Sequence, residues 1–169
     1  MSEMKDERGN MSVLLRFSTT SSPISWLIRT RTMAPVSHVE FELDGGWTFG
    51  ARMGGVEHRP PSENRGQWNV VRATYPKIEL AYEWATRNRS HFGYDLLADI
   101  GIGFNEDWHA RHERMCSELQ IEAAEAVGAF LLNRRIKRFQ VWPGALLLSP
   151  ALQIVGGSNE LLKEVKPNA

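Results

Sequence analysis

Cys116 is the residue whose side chain is best suited to act as a nucleophile, and it is the only cysteine of the 169-residue chain. The run after it is rich in Ala, Leu and Glu, with apolar residues at helical spacing, so we expect Cys116 in the first turn of a helix that continues to Leu132. There the unpaired backbone N–H groups and the helix dipole favour the thiolate, which is the nucleophilic form. A free cysteine is more often a small buried apolar residue, and its placement alone leaves both interpretations open.

His38 lies in a second stretch that could take part in chemistry. Residues 36–43 alternate apolar and polar side chains, and the Asp-Gly-Gly at 44–46 is typical of a hairpin. Period-two geometry puts His38, Glu40 and Glu42 on one face of the predicted strand. Such a histidine can be a core residue satisfied by a backbone carbonyl. Beside a cysteine at a helix start, it can instead take the thiol proton and later protonate a leaving group.

The hydrophobic pattern predicts the strands and helices that carry Cys116 and His38. Apolar or alternating runs predict strands near 13–17, 36–43, 54–59 and 68–73, and helical spacing predicts helices from Pro23, from about Ile78 and from Cys116. The sequence therefore predicts an α+β domain over residues 12–155. Residues 1–11 are expected to be a flexible tail and residues 156–169 a polar tail.

Composition limits the classes of function. With 42% hydrophobic and 24% charged residues the chain can form one compact core, and its formal net charge of zero argues against a general affinity for nucleic acid or anionic membrane. The basic run at 133–138 is interpreted as a solvated helix end. Because no signal peptide and no run of about 20 apolar residues is seen, we expect a cytoplasmic protein without a transmembrane segment.

The order of the motifs resembles a known family. Ser37-His38-Val39 on an early strand, followed by Cys116-Ser117-Glu118-Leu119 at a later helix start, resembles the permuted papain-like group of the NlpC/P60 superfamily, which includes YiiX-like and lecithin:retinol acyltransferase-like proteins. Segments 13–17, 22–28, 93–95 and 148–152 also resemble family elements. The resemblance implies a single-domain, circularly permuted NlpC/P60 fold, in which an antiparallel sheet packs against the cysteine-bearing helix.

In that family a third residue orients the histidine, and it usually lies on the next strand. Counting through the hairpin puts this position at Gly50, which has no side chain. Glu40, on the same strand and face as His38, is the first substitute, and Glu57 and His58 are second choices. Either glutamate could instead be an ordinary solvated charge.

The resemblance implies a cysteine-dependent hydrolase or acyltransferase in which Cys116 and His38 act on an amide bond of a peptide, peptidoglycan or lipid, through a thioacyl intermediate. It places Tyr94 as an accessory substrate-binding residue, although Tyr94 can equally be a packed aromatic. Such proteins occur in bacteria and phages, so a phage-associated chain is the alternative location. The alternative function is an inactive papain-like binding or assembly module.

A metal site is the competing interpretation of Cys116. His109, His112 and Cys116 are spaced to share one helix face, and His and Cys are good zinc ligands. A structural zinc site needs a fourth ligand, and no second His/Cys pair lies nearby in sequence. We therefore expect neither a metal nor another cofactor.

Overall fold

One antiparallel sheet with helices on its apolar face forms the framework of the protein. The computed structural model describes residues 12–52, 55–91, 93–94, 113–133 and 135–157, with the backbone alone at 91, 93–94, 113–114 and 139. Within this part the architecture is a mixed α+β domain, as predicted. The predicted tail at 1–11 lies outside the described residues, as does the predicted tail at 156–169 from residue 158 onward, while residues 156–157 belong to a strand.

The sheet contains six strands and is antiparallel throughout. Its strands are β1 Val13–Thr19, β2 His38–Leu43, β3 Thr48–Arg52, β4 Gly55–Arg59, β5 Trp68–Thr74 and, last in the chain, β8 Gln153–Gly157. The spatial order is β4-β3-β2-β1-β5-β8, so β1 and β2 are central. β8 runs two residues beyond the predicted domain end at 155. Two short strands, β6 Gly93–Tyr94 and β7 Glu113–Arg114, form a separate parallel pair.

Four α-helices accompany the sheet in the described residues. They are α1 Pro23–Thr32, α2 Ile78–Asn88, α3 Cys116–Ala126 and α4 Pro143–Leu147. α3 packs on β2, β3 and α2, so the helix that begins at Cys116 lies against the centre of the sheet. None of the helices in the described ranges has the length and apolar character that crossing a membrane requires.

The two faces of the sheet differ in chemistry because side chains alternate along each strand. Val39 and Phe41 of β2 point into the apolar core, where the Phe41 ring meets that of Tyr82 from α2 edge-on, with centroids 5.7 Å apart. Glu40 and Glu42 belong to the opposite face. Both of these carboxylates are buried, which for Glu40 is contrary to the solvated-charge interpretation.

Buried charges on this face are compensated by arginines from neighbouring strands. Glu42 accepts hydrogen bonds from Arg16 Nη1 at 3.1 Å and from Arg72 Nε at 2.6 Å. A buried carboxylate without such partners would strongly destabilise the fold. The polar face is therefore an ordered network of ion pairs rather than a solvated surface.

The end of α3 differs from the sequence prediction. The helix stops at Ala126, whereas its apolar pattern suggests that it continues to Leu132. Gly128 adopts φ +77°, its N–H bonds to the Glu125 carbonyl at 3.0 Å, and the Ala129 N–H bonds to the Ala124 carbonyl at 2.8 Å. This is the Schellman arrangement, in which a glycine in the left-handed region ends the helix.

Candidate active site

His38 is the first residue of β2 and is held in place by its neighbours in the chain and across the sheet. It lies opposite Ser18 of β1 in the strand register. The preceding residue, Ser37, bonds through its hydroxyl to those of Thr19 at 3.0 Å and Ser25 at 2.5 Å, which fastens the start of α1 to the start of β2. The His38 side chain is 16% exposed, so its orientation is set mainly by protein contacts.

Cys116 is the first residue of α3, where the sequence predicts it. The helix start is capped by Glu118, because the Met115 N–H donates to Glu118 Oε2 at 3.2 Å. Ser117 Oγ donates to the Val141 carbonyl at 2.5 Å and ties the first turn to the segment before α4. Cys116 itself is only 3% exposed.

The structure brings Cys116 and His38 together. Burial alone would lower the pKa of His38, but the negative charge on Cys116, the Glu40 carboxylate and side-chain hydrogen bonds to both raise this pKa to about 9. The imidazole is therefore protonated at neutral pH, with the Glu40 carboxylate and Cys116 as its partners. In general, a protonated histidine beside a cysteine favours the thiolate, which is the nucleophilic form of the sulfur.

Glu40 is the carboxylate that orients His38. Its Oε2 lies 3.3 Å from His38 Nε2, and its side chain is fully buried. Burial would raise the pKa of Glu40, but the positive charges and hydrogen bonds of His38 and then of Arg52 lower it to about 2.

The missing side chain at Gly50 explains how Glu40 fits. The register pairs Phe41 with Phe49 and Glu42 with Thr48, which puts Gly50 beside Glu40. A Cβ added at Gly50 would lie 2.8 Å from Glu40 Cβ, closer than carbon atoms pack. The glycine therefore leaves the space that the buried glutamate occupies.

Sequence reasoning missed two residues that contact Glu40, Arg52 and Gln67, and a third, Asn64, that contacts Arg52. Arg52 Nη2 donates to Glu40 Oε1 at 2.5 Å and to Oε2 at 2.6 Å, and Arg52 Nε lies 3.0 Å from Oε2. Asn64 accepts from Arg52 Nη2 at 2.8 Å, and Gln67 Nε2 lies 3.5 Å from Glu40 Oε1. The sequence contained one indication that Arg52 lies near Glu40: Arg52 follows Gly50 by two residues and therefore shares its face of the strand.

The second choices for the orienting residue do not reach His38. The Glu57 side chain is 58% exposed and pairs with Arg59 at 3.0 Å. His58 bonds through Nε2 to Tyr82 Oη at 2.7 Å on the apolar face, where burial and then the charge of Arg89 lower its pKa. His58 is thus a packed core-edge histidine.

Three further residues from the sequence predictions cannot be placed in this site. The backbone of Tyr94 forms part of β6, but its side chain lies outside the described residues, as do His109 and His112 completely. Within the described part no group of three His, Cys, Asp or Glu side chains is arranged to hold a metal ion. The carboxylate nearest His38 is already bound to the Arg52 cation, which makes it a poor ligand for a second cation.

The fold of the protein is similar to that of a solved structure, whereas its sequence matches no known family. No protein-family model matches the chain, and no curated protein matches its sequence. Among solved structures, it is similar to that of the metalloprotein YiiX from Escherichia coli O157:H7, with a TM-score of 0.61 and 16% sequence identity over 86% of this chain and 96% of that one. At this identity the likeness concerns the fold alone, and the chain has a YiiX-like fold.

Proposed function

We propose that the protein is a cysteine-dependent hydrolase or acyltransferase that acts on an amide or ester bond through Cys116, His38 and Glu40. The observation that carries this proposal is the position of the His38 imidazole, whose protonation is coupled to Cys116 and which lies 3.3 Å from the Glu40 carboxylate. A nucleophile, a base and a group that orients the base are the components that thiol acyl transfer requires. We propose further that the fold is the circularly permuted NlpC/P60 type.

In the proposed reaction the Cys116 thiolate attacks the substrate carbonyl carbon and forms a C–S bond. The negative charge moves to the carbonyl oxygen, where the Cys116 N–H at the helix start, which has no acceptor within the helix, can stabilise it. Collapse of this intermediate breaks the bond to the leaving group, which takes the His38 proton. His38 then removes a proton from water or another acceptor, which attacks the thioester and regenerates the thiolate.

The substrate proposed for this site is a peptide, a peptidoglycan-type compound or a lipid with an amide or ester bond, and Tyr94 is proposed as an accessory binding residue. We propose a cytoplasmic or phage-associated location and no nucleic-acid partner. The described site residues favour none of these acyl compounds over the others, so an activated ester is the appropriate first probe.

The test is a burst experiment with p-nitrophenyl acetate. The reaction is expected to release about one equivalent of nitrophenolate rapidly and to leave a mass increase of one acetyl group on Cys116, located by peptide mass spectrometry. Cys116→Ser should not show the thioacetyl adduct, and His38→Ala should form it far more slowly. A wild-type protein acetylated only at lysines, with Cys116 untouched, would contradict the proposal.

A non-catalytic binding or assembly module is the second candidate, because the Cys116 side chain is nearly buried. Catalysis requires that a substrate carbonyl carbon reach the Cys116 sulfur, which burial hinders. A binding module has no such requirement, because its cysteine can serve as a packed core residue. The same experiment separates the candidates: the module predicts a folded protein in which Cys116 remains unmodified.

A further inference from the structure

Arg52 occupies an unusual place beside the proposed catalytic pair, because it contacts both the carboxylate and the imidazole. Its Nε lies 3.0 Å from Glu40 Oε2 and 3.3 Å from His38 Nε2, and Glu40 Oε2 and His38 Nε2 are themselves 3.3 Å apart. These three atoms form a nearly equilateral triangle. A protonated His38 donates its Nε2–H to Glu40, so the contact from Arg52 Nε to His38 Nε2 then brings two positive groups together.

The Arg52 guanidinium is also fixed from its outer side. Its Nη2 donates to Asn64 Oδ1 at 2.8 Å, while Asn64 Nδ2 donates to the Gly46 carbonyl at 3.1 Å. Arg52 is the last residue of β3, two positions after Gly50. The strand that lacks an orienting side chain therefore supplies the cation that holds the replacement carboxylate.

From this geometry we infer that Arg52 is a positioning residue that tunes the site: it holds Glu40 against His38 and, as a second positive charge beside the imidazole, limits how strongly Glu40 makes His38 retain its proton. This inference rests on the proposed function. His38 must release its proton to a leaving group in every turnover, and an imidazolium beside an uncompensated buried carboxylate is a poor acid. Arg52 counteracts that effect without removing the carboxylate that orients the ring.

The inference predicts shifts of opposite direction for two neighbouring substitutions. Arg52→Met removes the like charge and should raise the pH at which His38 loses its proton by roughly one unit or more. Glu40→Gln removes the attractive charge, leaves Arg52 in place, and should lower that pH. A purely structural Arg52 would reduce stability on substitution but would not move the His38 titration upward.

The experiment is a titration of ¹⁵N-histidine-labelled protein followed by NMR, which reads His38 without any substrate. The chain has five histidines, and the His38 signals are identified by their absence from His38→Ala. Wild-type His38 is expected to titrate at about 9. Arg72→Met is the matched control, because it removes an arginine that pairs with Glu42 on the same face of the sheet. Arg52→Gln, which keeps an amide donor for Glu40, replaces Arg52→Met if the latter does not fold.

An upward shift for either neutral Arg52 variant, a downward shift for Glu40→Gln and an unchanged Arg72→Met support the inference. Wild-type titration at about 9 with no upward shift in the folded Arg52 variants overturns the role of Arg52 and leaves the Cys116–His38 pair intact. Wild-type titration near the ordinary value of 6.5, insensitive to Cys116→Ala, overturns the proposed function itself.

Discussion

At the scale of single residues, Glu40 and Gly50 show how the site is assembled without the expected side chain on β3. Glu40 could be predicted as the substitute, because it shares a strand face with His38. Its burial and most of its surroundings could not, since Arg52, Asn64 and Gln67 come from other segments that the folded sheet brings together, and only the spacing of Arg52 from Gly50 indicated one of them. A strand glutamate with no visible partner in sequence is ordinarily expected to be solvated.

Gly50→Ala tests whether the absence of a side chain on β3 makes room for the Glu40 carboxylate of β2. The added methyl group would lie 2.8 Å from Glu40 Cβ, so the carboxylate must move, and we expect a loss of about 1–3 kcal/mol in stability with slower thiol reactivity. Chemical denaturation and alkylation kinetics give the two readouts. Gly156→Ala is the control, because an added Cβ there meets no atom within 4 Å. Equal behaviour of the two variants would argue against a packing role for Gly50.

At the scale of elements, the start of α3 was predictable and its end was not. Helical spacing after Cys116 fixed the first turn, and the alternating pattern placed β2. The apolar residues beyond Gly128 suggested a longer helix, whereas the left-handed conformation of this glycine ends it. A single glycine within an apolar pattern can either be tolerated in a helix or act as its cap, and local sequence does not distinguish the two cases.

Gly128→Ala is expected to destabilise the fold by about 1–2 kcal/mol, since a residue with a Cβ is strained in the left-handed region. The effect should be confined to stability, because the substitution lies at the opposite end of α3 from Cys116. Thermal unfolding measures the first effect and the rate of Cys116 alkylation the second. A stability equal to that of the wild type would contradict the capping role.

At the scale of the whole molecule, charge pairing on one face of the sheet links the site to the stability of the fold. The zero net charge argues against a general affinity for nucleic acid, yet it does not reveal the buried ion pairs at Glu40 and Glu42. The α+β class and the antiparallel sheet could be predicted from periodicity, and the YiiX-like likeness agrees with them. The ion pairs of the polar face could not be predicted, because they join strands that are distant in sequence and meet only in the folded sheet.

Two pKa shifts predict how stability depends on pH. Glu40, lowered from 4.5 to about 2, contributes stability above pH 4.5 that is lost as pH falls through 2. His38, raised from 6.5 to about 9, contributes stability below pH 6.5 that is lost as pH rises through 9. Both contributions are complete between pH 4.5 and 6.5, so the free energy of unfolding should show a plateau in this range. In His38→Ala the alkaline decrease should be smaller, and an identical decrease would contradict the assignment.

The proposed activation of Cys116 by His38 is tested most directly by the rate of Cys116 alkylation by iodoacetamide as a function of pH, in the wild type and in His38→Ala. Because His38 is expected to hold the sulfur as a thiolate, the wild type should react rapidly at neutral pH. His38→Ala should react only as pH approaches ~8.5, where ordinary thiols ionise. We expect fast alkylation at neutral pH that depends on His38. A thiol that reacts identically with and without His38 would overturn the assignment of a Cys116–His38 pair.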